Sequence, residues 1–196
     1  MIVTFSPRQR DYAPAEFLAA GRPKAHPDVP ARLDGLLAGV VASGHAIVEP
    51  EDHGLTHVAR VHDPRYLDFL ETAHGAWRQL PQAADQMVPN VHPRRSGGPY
   101  PRAIVGRAGY HLYDMSCPIT AETWSAVLWN AHSAASAALR VADGAAPSAY
   151  ALCRPPGHHA GPDYAGGFCF LNNAAVAADI LCRRFGRVAT LDIDVH

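Results

Sequence analysis

Lysine is nearly missing from this sequence. Lys24 is the only one in 196 residues, and arginine supplies the rest of the 17 basic side chains, a bias that reads as codon usage. An excess of one charge is missing as well, since 18 acidic residues leave a formal net charge of −1. That balance provides no basic stripe for nucleic acid or an anionic membrane and no acidic tail, so no nucleic-acid partner is expected. Cysteine is limited to Cys117, Cys153, Cys169 and Cys182, with no CxxC pair and no dense framework. This is the usage of reduced thiols in a cytoplasmic protein, and disulfides are not expected. No uninterrupted apolar run approaches the ~20 residues of a membrane span. The start of the chain lacks a basic segment followed by an apolar stretch of roughly 7–15 residues. The expectation is a cytoplasmic protein with no membrane partner.

What is present argues for a packed domain. With 48% hydrophobic and 18% charged residues, a chain of this length can bury a sizeable core, and disorder is not expected. Seventeen prolines and sixteen glycines exceed ordinary usage but stay below the ~25–30% that marks low complexity, which places them in ordered loops. No repeat and no linker divides the chain. Twelve histidines are many for this length, and the question is which of them cluster.

Residues 2–5 read as a short buried strand, and Pro7, Pro14, Pro23 and Pro27 make the stretch from Ser6 to Pro27 irregular. A helix is predicted next, with Asp28 as its cap, Pro30 in its first turn, a stripe of Leu33, Leu36, Leu37, Val40 and Val41, and Gly44 at its end. Residues 46–49 form a strand, and Asp63-Pro64 opens a helix carrying Tyr66, Leu67, Phe69 and Leu70. Residues 80–102 are an inserted Pro/Gly-rich loop, of a length that is usually functional. Thr120 caps a long amphipathic helix ending near Gly144, followed by a strand at 149–153, a helix over Asn173–Phe185 and a strand at 188–192. This alternation predicts an α/β fold with a mostly parallel sheet covered by helices on both faces.

In open parallel sheets the ligand site lies at the carboxyl ends of the strands. Two predicted strand exits carry unusual residues. One is Cys153-Arg154-Pro155-Pro156-Gly157-His158-His159-Ala160, followed by the run from Gly166 to Asn173; the other is Leu191-Asp192-Ile193-Asp194-Val195-His196. Asp194 and His196 are two apart, so on an extended chain both project to one side, where an oxygen and an imidazole suit zinc. A catalytic zinc needs three protein ligands and an open position, which leaves one ligand to be found. Taken alone, the carboxylates also fit a helix-capping role and His158-His159 also fits a surface pair. Both plainer readings weaken together, because the two loops fall on the same sheet edge and adjacent histidines near a metal-bound water can move protons. Gly157, Gly166 and Gly167 let backbone approach a ligand closely. The chain stops at His196, directly after a predicted strand, so it is expected to lack later strands of its sheet and to be C-terminally truncated.

These segments resemble the histone deacetylase superfamily, specifically its acetylpolyamine amidohydrolase branch. RPPGHHA, GGFCFLNNAAVAA and LDIDVH carry the likeness in combination, and HPDVPARLDGLL and VHDPRYLDFLETAHGAW extend it upstream over nearly the whole chain. The resemblance implies an arginase/deacetylase-like fold, with residues 1–196 as the N-terminal portion of a single deacetylase domain. It implies a zinc-dependent deacetylase acting on small acetylated amines (acetylpolyamines) or acetyl-lysine, with Zn2+, or Fe2+ in the cell, and a structural K+. By position, His158 and His159 match the tandem catalytic histidines, His159 as general base and acid and His158 as its electrostatic partner. Asp194 and His196 match two zinc ligands. Asp192 matches the carboxylate that supports the first histidine and helps bind potassium, a site shared by the carbonyls of Asp194 and His196. Gly167 and Phe168 match the substrate tunnel, Phe168 flanking the acyl chain and Gly167 offering its carbonyl to the scissile amide. The loop at 80–102 resembles an insertion that joins two subunits and narrows the tunnel entrance. A homodimer is therefore implied, with Met87, Val88, Val91 and Tyr100 as apolar contacts that a monomer would leave exposed.

Departures from the family pattern are equally specific. The family's third zinc ligand, an aspartate, and its oxyanion tyrosine have no match up to residue 196. Where polyamine-binding members place acidic residues at the tunnel mouth stand Val105 and Ser116, although Asp114 is close. The alternative is a non-catalytic or inactive truncated relative that binds metal or acetylated ligand. A metallophosphoesterase also begins with Asp-x-His at a strand end but needs no GHH loop. An arginase-like ureohydrolase would use a two-manganese site richer in Asp and His.

Overall fold

A three-residue strand lies at the centre of the sheet, with both edges taken. In the computed structural model, which describes residues 1–93 and 98–195, β1 (Ile2–Thr4) pairs in parallel with β4 (Ala46–Val48) on one side and β5 (Ala149–Ala151) on the other. Side chains alternate across a strand, and this decides the layers. Val3 and Phe5 are closed over by Leu33 and Val40 of α1 (Ala31–Ala42) together with Leu152. Thr4 points the other way, is fully buried, and donates its hydroxyl to the Ser133 carbonyl in α4 (Thr123–Ala142) at 2.7 Å. Helices therefore cover both faces of a parallel sheet, as the alternating pattern predicts.

Between Ser6 and Pro27 the chain is more ordered than its prolines suggest. A 3-10 turn spans Pro7–Arg10, and β2 (Glu16–Ala19) and β3 (Arg22–Ala25) form an antiparallel hairpin. Ala20 and Gly21, both at positive φ, make the two-residue turn. Pro23 is tolerated because a two-stranded ribbon leaves one side of each strand free of ladder bonds. α1 follows and ends before Gly44, but Pro30 is its N-cap and no side chain caps it. Asp28 is used elsewhere. Leu36 and Val41 stay exposed, since the short sheet face offers α1 cover only for a stripe centred on Leu33 and Val40.

α2 (Pro64–Trp77) starts as predicted, the Asp63 carboxylate accepting from the Arg65 N–H at 2.7 Å. α3 (Ile104–His111) forms although Gly106 and Gly109 lower its helix propensity. Packing explains Gly109: a Cβ there would stand 1.6 Å from the Val91 carbonyl oxygen. α4 begins at Thr123, whose hydroxyl accepts the Thr120 N–H. Expected to be amphipathic, α4 is instead buried on almost every side, since the sheet lies on one flank and α5 (Asn173–Phe185) and the main core lie on others. α5 has the predicted boundaries, with the Asn172 side chain accepting from the Ala175 N–H and Gly186 at its end.

Two expectations are corrected. Residues 188–192 form no strand, and Leu191 and Ile193 are 86% and 83% exposed. An apolar alternating pattern makes a strand only where a neighbour supplies ladder bonds, and here this segment pairs with neither edge of the sheet. In the 80–102 loop, Met87 is fully buried and pairs with Ile119, while the half-buried Tyr100 meets the His111 ring at 2.9 Å, so both serve this chain's own core. Val91 is exposed as expected, and residues 94–97 of the loop lie outside the described residues. All four cysteines are free. Among the described residues, no helix is long and apolar enough to cross a membrane.

Candidate active site at the exit of the third parallel strand

The chain leaving β5 is fastened before it reaches the histidines. The Arg154 N–H donates to Gln9 Oε1 at 2.8 Å. Its guanidinium donates to the Gln9 carbonyl at 2.8 Å, to Asp28 Oδ1 at 3.1 Å and to the Asp28 carbonyl at 2.6 Å. Arg154 and Asp28 are each 3% exposed as side chains. Burial lowers the Arg154 pKa and the Asp28 charge opposes that shift. Desolvating such a pair is costly, and it persists because most of its donors are satisfied. This explains why Asp28 caps no helix: its carboxylate holds Arg154 and Arg32.

His158 and His159 come next, their ring centroids 4.2 Å apart at 64°. They line a cavity of about 510 Å3 together with Asp28, Arg154, Gly167, Phe168 and Asp194. Of the residues read from the sequence, His158, His159, Gly167, Phe168 and Asp194 are thus brought to one wall system. Asp192 is exposed and its Oδ1 accepts the Asp194 N–H at 2.9 Å; among the described residues no bond joins it to His158. His196 lies outside the described residues.

Gly167 and Phe168 lie in a tight turn at φ 55° and 67°. The turn backbone presses on the base of the cavity, since a Cβ on Gly167 would stand 2.4 Å from His159 Cδ2. Phe168 is a bulky residue in the left-handed region, a conformation that costs roughly 1–2 kcal/mol and needs support. Asp114 Oδ2 accepts the Gly167 N–H at 2.9 Å and Ser116 Oγ accepts the Phe168 N–H at 3.1 Å. The Phe168 ring stands edge-on to Phe17 and His26, with centroids 5.4 and 5.0 Å away. Phe17 and Gln9 carry no signal in the sequence, and His26 and Arg154 stand in the HPDVPARLDGLL and RPPGHHA segments with no role assigned to them.

Burial disfavours the thiolate at both sulfurs of this site. Burial pushes the Cys153 thiol up to about 12. Burial also pushes Cys169 up to about 11, with the Asp114 and Asp194 charges adding to the shift. Both remain protonated near neutral pH. Among the described residues no three His, Cys, Asp or Glu side chains converge to hold a metal ion. The donor chemistry fits zinc only in part: of the two carboxylates on the wall, Asp28 is committed to arginines, and Asp194 shares the cavity with the histidines.

Comparison with known proteins gives this arrangement a family. The histone deacetylase domain profile matches residues 26–196. The acetylpolyamine amidohydrolase of Burkholderia pseudomallei (strain 1710b) is 46% identical over 197 residues, covering 100% of this chain and 57% of that protein. Acetylpolyamine amidohydrolase 1 of Pseudomonas aeruginosa is 43% identical over 174 residues, covering 86% of this chain and 50% of that protein. The crystal structure of the acetylpolyamine aminohydrolase from Burkholderia pseudomallei matches with a TM-score of 0.90 at 45% identity, over 94% of this chain and 53% of that one. The HDA15 HD domain, 22% identical with a TM-score of 0.68, shares the fold. The chain spans about half the length of the curated relatives it matches. With a domain match over most of its length, similarity along the whole of this chain to part of an acetylpolyamine amidohydrolase, and a cavity walled by the tandem histidines and the Gly167-Phe168 turn, the chain belongs to the histone deacetylase family.

Proposed function

We propose that the full-length protein is a zinc-dependent deacetylase that hydrolyses the acetyl amide of small amines such as acetylpolyamines, with acetyl-lysine as a second substrate class. The observation that carries this reading is the juxtaposition of His158 and His159 with the Gly167-Phe168 turn around one cavity. The names of the relatives supply the substrate class. Asp194 and His196 would hold the metal, Zn2+ or Fe2+, and Asp192 with the Asp194 and His196 carbonyls would line a potassium site. When bound, the metal supplies a Lewis acid for the acetyl carbonyl and the attacking water.

The residues of this chain do the rest. His159, exposed to the cavity, takes the proton from the attacking water and returns it to the leaving amine. His158, with its ring 4.2 Å away, serves as the electrostatic partner of His159. Phe168 flanks the acyl chain, and the Gly167 carbonyl accepts from the amide N–H and orients it.

The test is deacetylation of N-acetylputrescine and an acetyl-lysine aminocoumarin by the purified full-length protein, before and after exhaustive chelation. Activity should vanish on chelation and return with added zinc. Retained activity with no metal in elemental analysis would sink the proposal. A zinc-loaded protein that turns over neither substrate would support the non-catalytic alternative.

A further inference from the structure

Between α3 and α4 the chain passes Asp114 and Ser116, two side chains with no part in the chemistry described so far. Their hydrogen bonds converge. Ser116 donates both its N–H, at 2.8 Å, and its hydroxyl to Asp114 Oδ1. The other carboxylate oxygen takes the Gly167 N–H and the Ser116 hydroxyl oxygen takes the Phe168 N–H. The donors they satisfy are the two central amides of a turn whose outer residues, Gly166 and Cys169, bond each other through their backbones at 3.1 and 2.9 Å. Both central residues lie at positive φ, the geometry of a type I′ turn, which favours Asn-Gly and here carries Gly-Phe.

A bulky side chain in that position needs external restraint. Phe168 is held at two levels: its amide by Ser116, and its ring by Phe17 and His26. His26 is tied to the same hub, its Nε2 lying 3.4 Å from the Ser116 carbonyl. Gly167 has no slack on its other side, where His159 is in contact. A small displacement of this turn would therefore move the acyl-chain wall and the proton-transfer residue together. The chain of carboxylate, hydroxyl and amide polarises each bond in turn, and bonds to an ionised acceptor are the stronger kind.

The geometry points to Asp114 and Ser116 as positioning residues, a side-chain clamp that holds the Gly167-Phe168 turn in its left-handed conformation and so sets the tunnel wall against His159. Its catalytic consequence rests on the deacetylase reading; its structural content does not. The clamp divides the labour: Asp114 governs Gly167 and thereby His159, whereas Ser116 governs Phe168 and thereby the grip on the acyl chain.

The experiment uses the zinc-loaded full-length protein carrying Asp114→Ala, Asp114→Asn, Ser116→Ala or Ser116→Thr. Amide hydrogen exchange should quicken about tenfold or more at Gly167 in Asp114→Ala and at Phe168 in Ser116→Ala, while core amides of α4 keep their rates. With N-acetylputrescine, Ser116→Ala should raise KM by roughly 3–10-fold with a smaller fall in kcat, and Asp114→Ala should lower kcat/KM by roughly 10–100-fold. Ser116→Thr keeps the hydroxyl and should restore KM, and Asp114→Asn keeps one oxygen acceptor and should recover part of kcat. Exchange at Gly167 and Phe168 that is unchanged in both alanine variants overturns the clamp. So does a loss of activity that equals the loss of folded protein, or a Ser116→Thr variant as impaired as Ser116→Ala. An unsubstituted protein that deacetylates nothing would refute the deacetylase reading alone, with the exchange rates still deciding the clamp.

Discussion

Replacing Gly167 with alanine tests whether the turn and the histidine are in working contact. The new Cβ would stand 2.4 Å from Cδ2, 2.8 Å from Cγ and 3.1 Å from Cβ of His159. Carbon atoms rest at about 3.5–4.0 Å, so the imidazole must retreat by about 1 Å. Because His159 is exposed to the cavity it can yield, and the fold survives. The thermodynamic cost is then mainly that of a non-glycine residue at φ 55°, roughly 1–2 kcal/mol. The kinetic cost is larger, since a misplacement of about 1 Å in a reacting group can cost about 10²-fold. Gly144→Ala is the control. Gly144 has φ 72° but nothing within 4 Å of its would-be Cβ, so it suffers the same backbone strain without touching the site. Urea unfolding should show similar losses of stability for the two variants, and kcat on N-acetylputrescine should fall about 10²-fold for Gly167→Ala only. A Gly167→Ala protein with unaltered kcat would refute the placement of His159 as the proton-transfer group packed on this turn.

His159→Ala should lower turnover by about 10²–10⁴-fold, and by more than His158→Ala, with zinc content unchanged in both; zinc lost from His159→Ala would make that residue a ligand. Arg154→Met should cost about 3–5 kcal/mol in urea unfolding, because it leaves the Asp28 carboxylate buried without its main partner. Adding Asp28→Asn should recover part of that loss, and strict additivity would deny the coupling. His132 is buried, and burial chiefly lowers its pKa to about 4, with the Asp52 charge opposing and His53 and His57 adding to the shift. Its folded pKa lies below the unfolded value, so its contribution is complete above about pH 6.5 and is lost as pH falls towards 4, some 3 kcal/mol in all. His132→Asn should flatten the stability profile across that window, and an unchanged profile would assign the acid sensitivity elsewhere. If this loop joins two subunits and narrows the tunnel, replacing residues 90–99 with a Gly-Ser linker, which spares the buried Met87, should give monomers in sedimentation and erode any preference for small acetylated amines over acetyl-lysine peptides. Persistent dimers with an unchanged kcat/KM ratio would show that the loop neither joins subunits nor selects substrates.

Features written within a few residues of one another were legible before any fold was known. Asp63-Pro64 marks the start of α2 and Gly44 the end of α1, because a cap is a hydrogen bond or a φ value confined to a single turn of chain. The histidine pair and the run from Gly166 to Asn173 were legible for a similar reason, as residues that ordinary strand exits do not contain, whereas the left-handed turn at Gly167-Phe168 was not. Position-by-position resemblance then named their roles. Other features depended on where the chain returned. Asp28 looks like a helix cap until Arg154, 126 residues away, arrives to claim it. Asp114 looks like a mouth residue until Gly167 presents an amide from 53 residues on. α3 exists despite two glycines because close packing against Val91 requires one of them, and α4 is buried on nearly every side because the sheet and α5 press on it from different flanks. Residues 188–192 carry a strand pattern and form no strand, since the hydrogen bonds of a strand belong to its neighbour as much as to itself. Local backbone preference is encoded in adjacent residues, whereas burial, ion pairing and ladder formation are properties of pairs whose members meet only after the chain has folded.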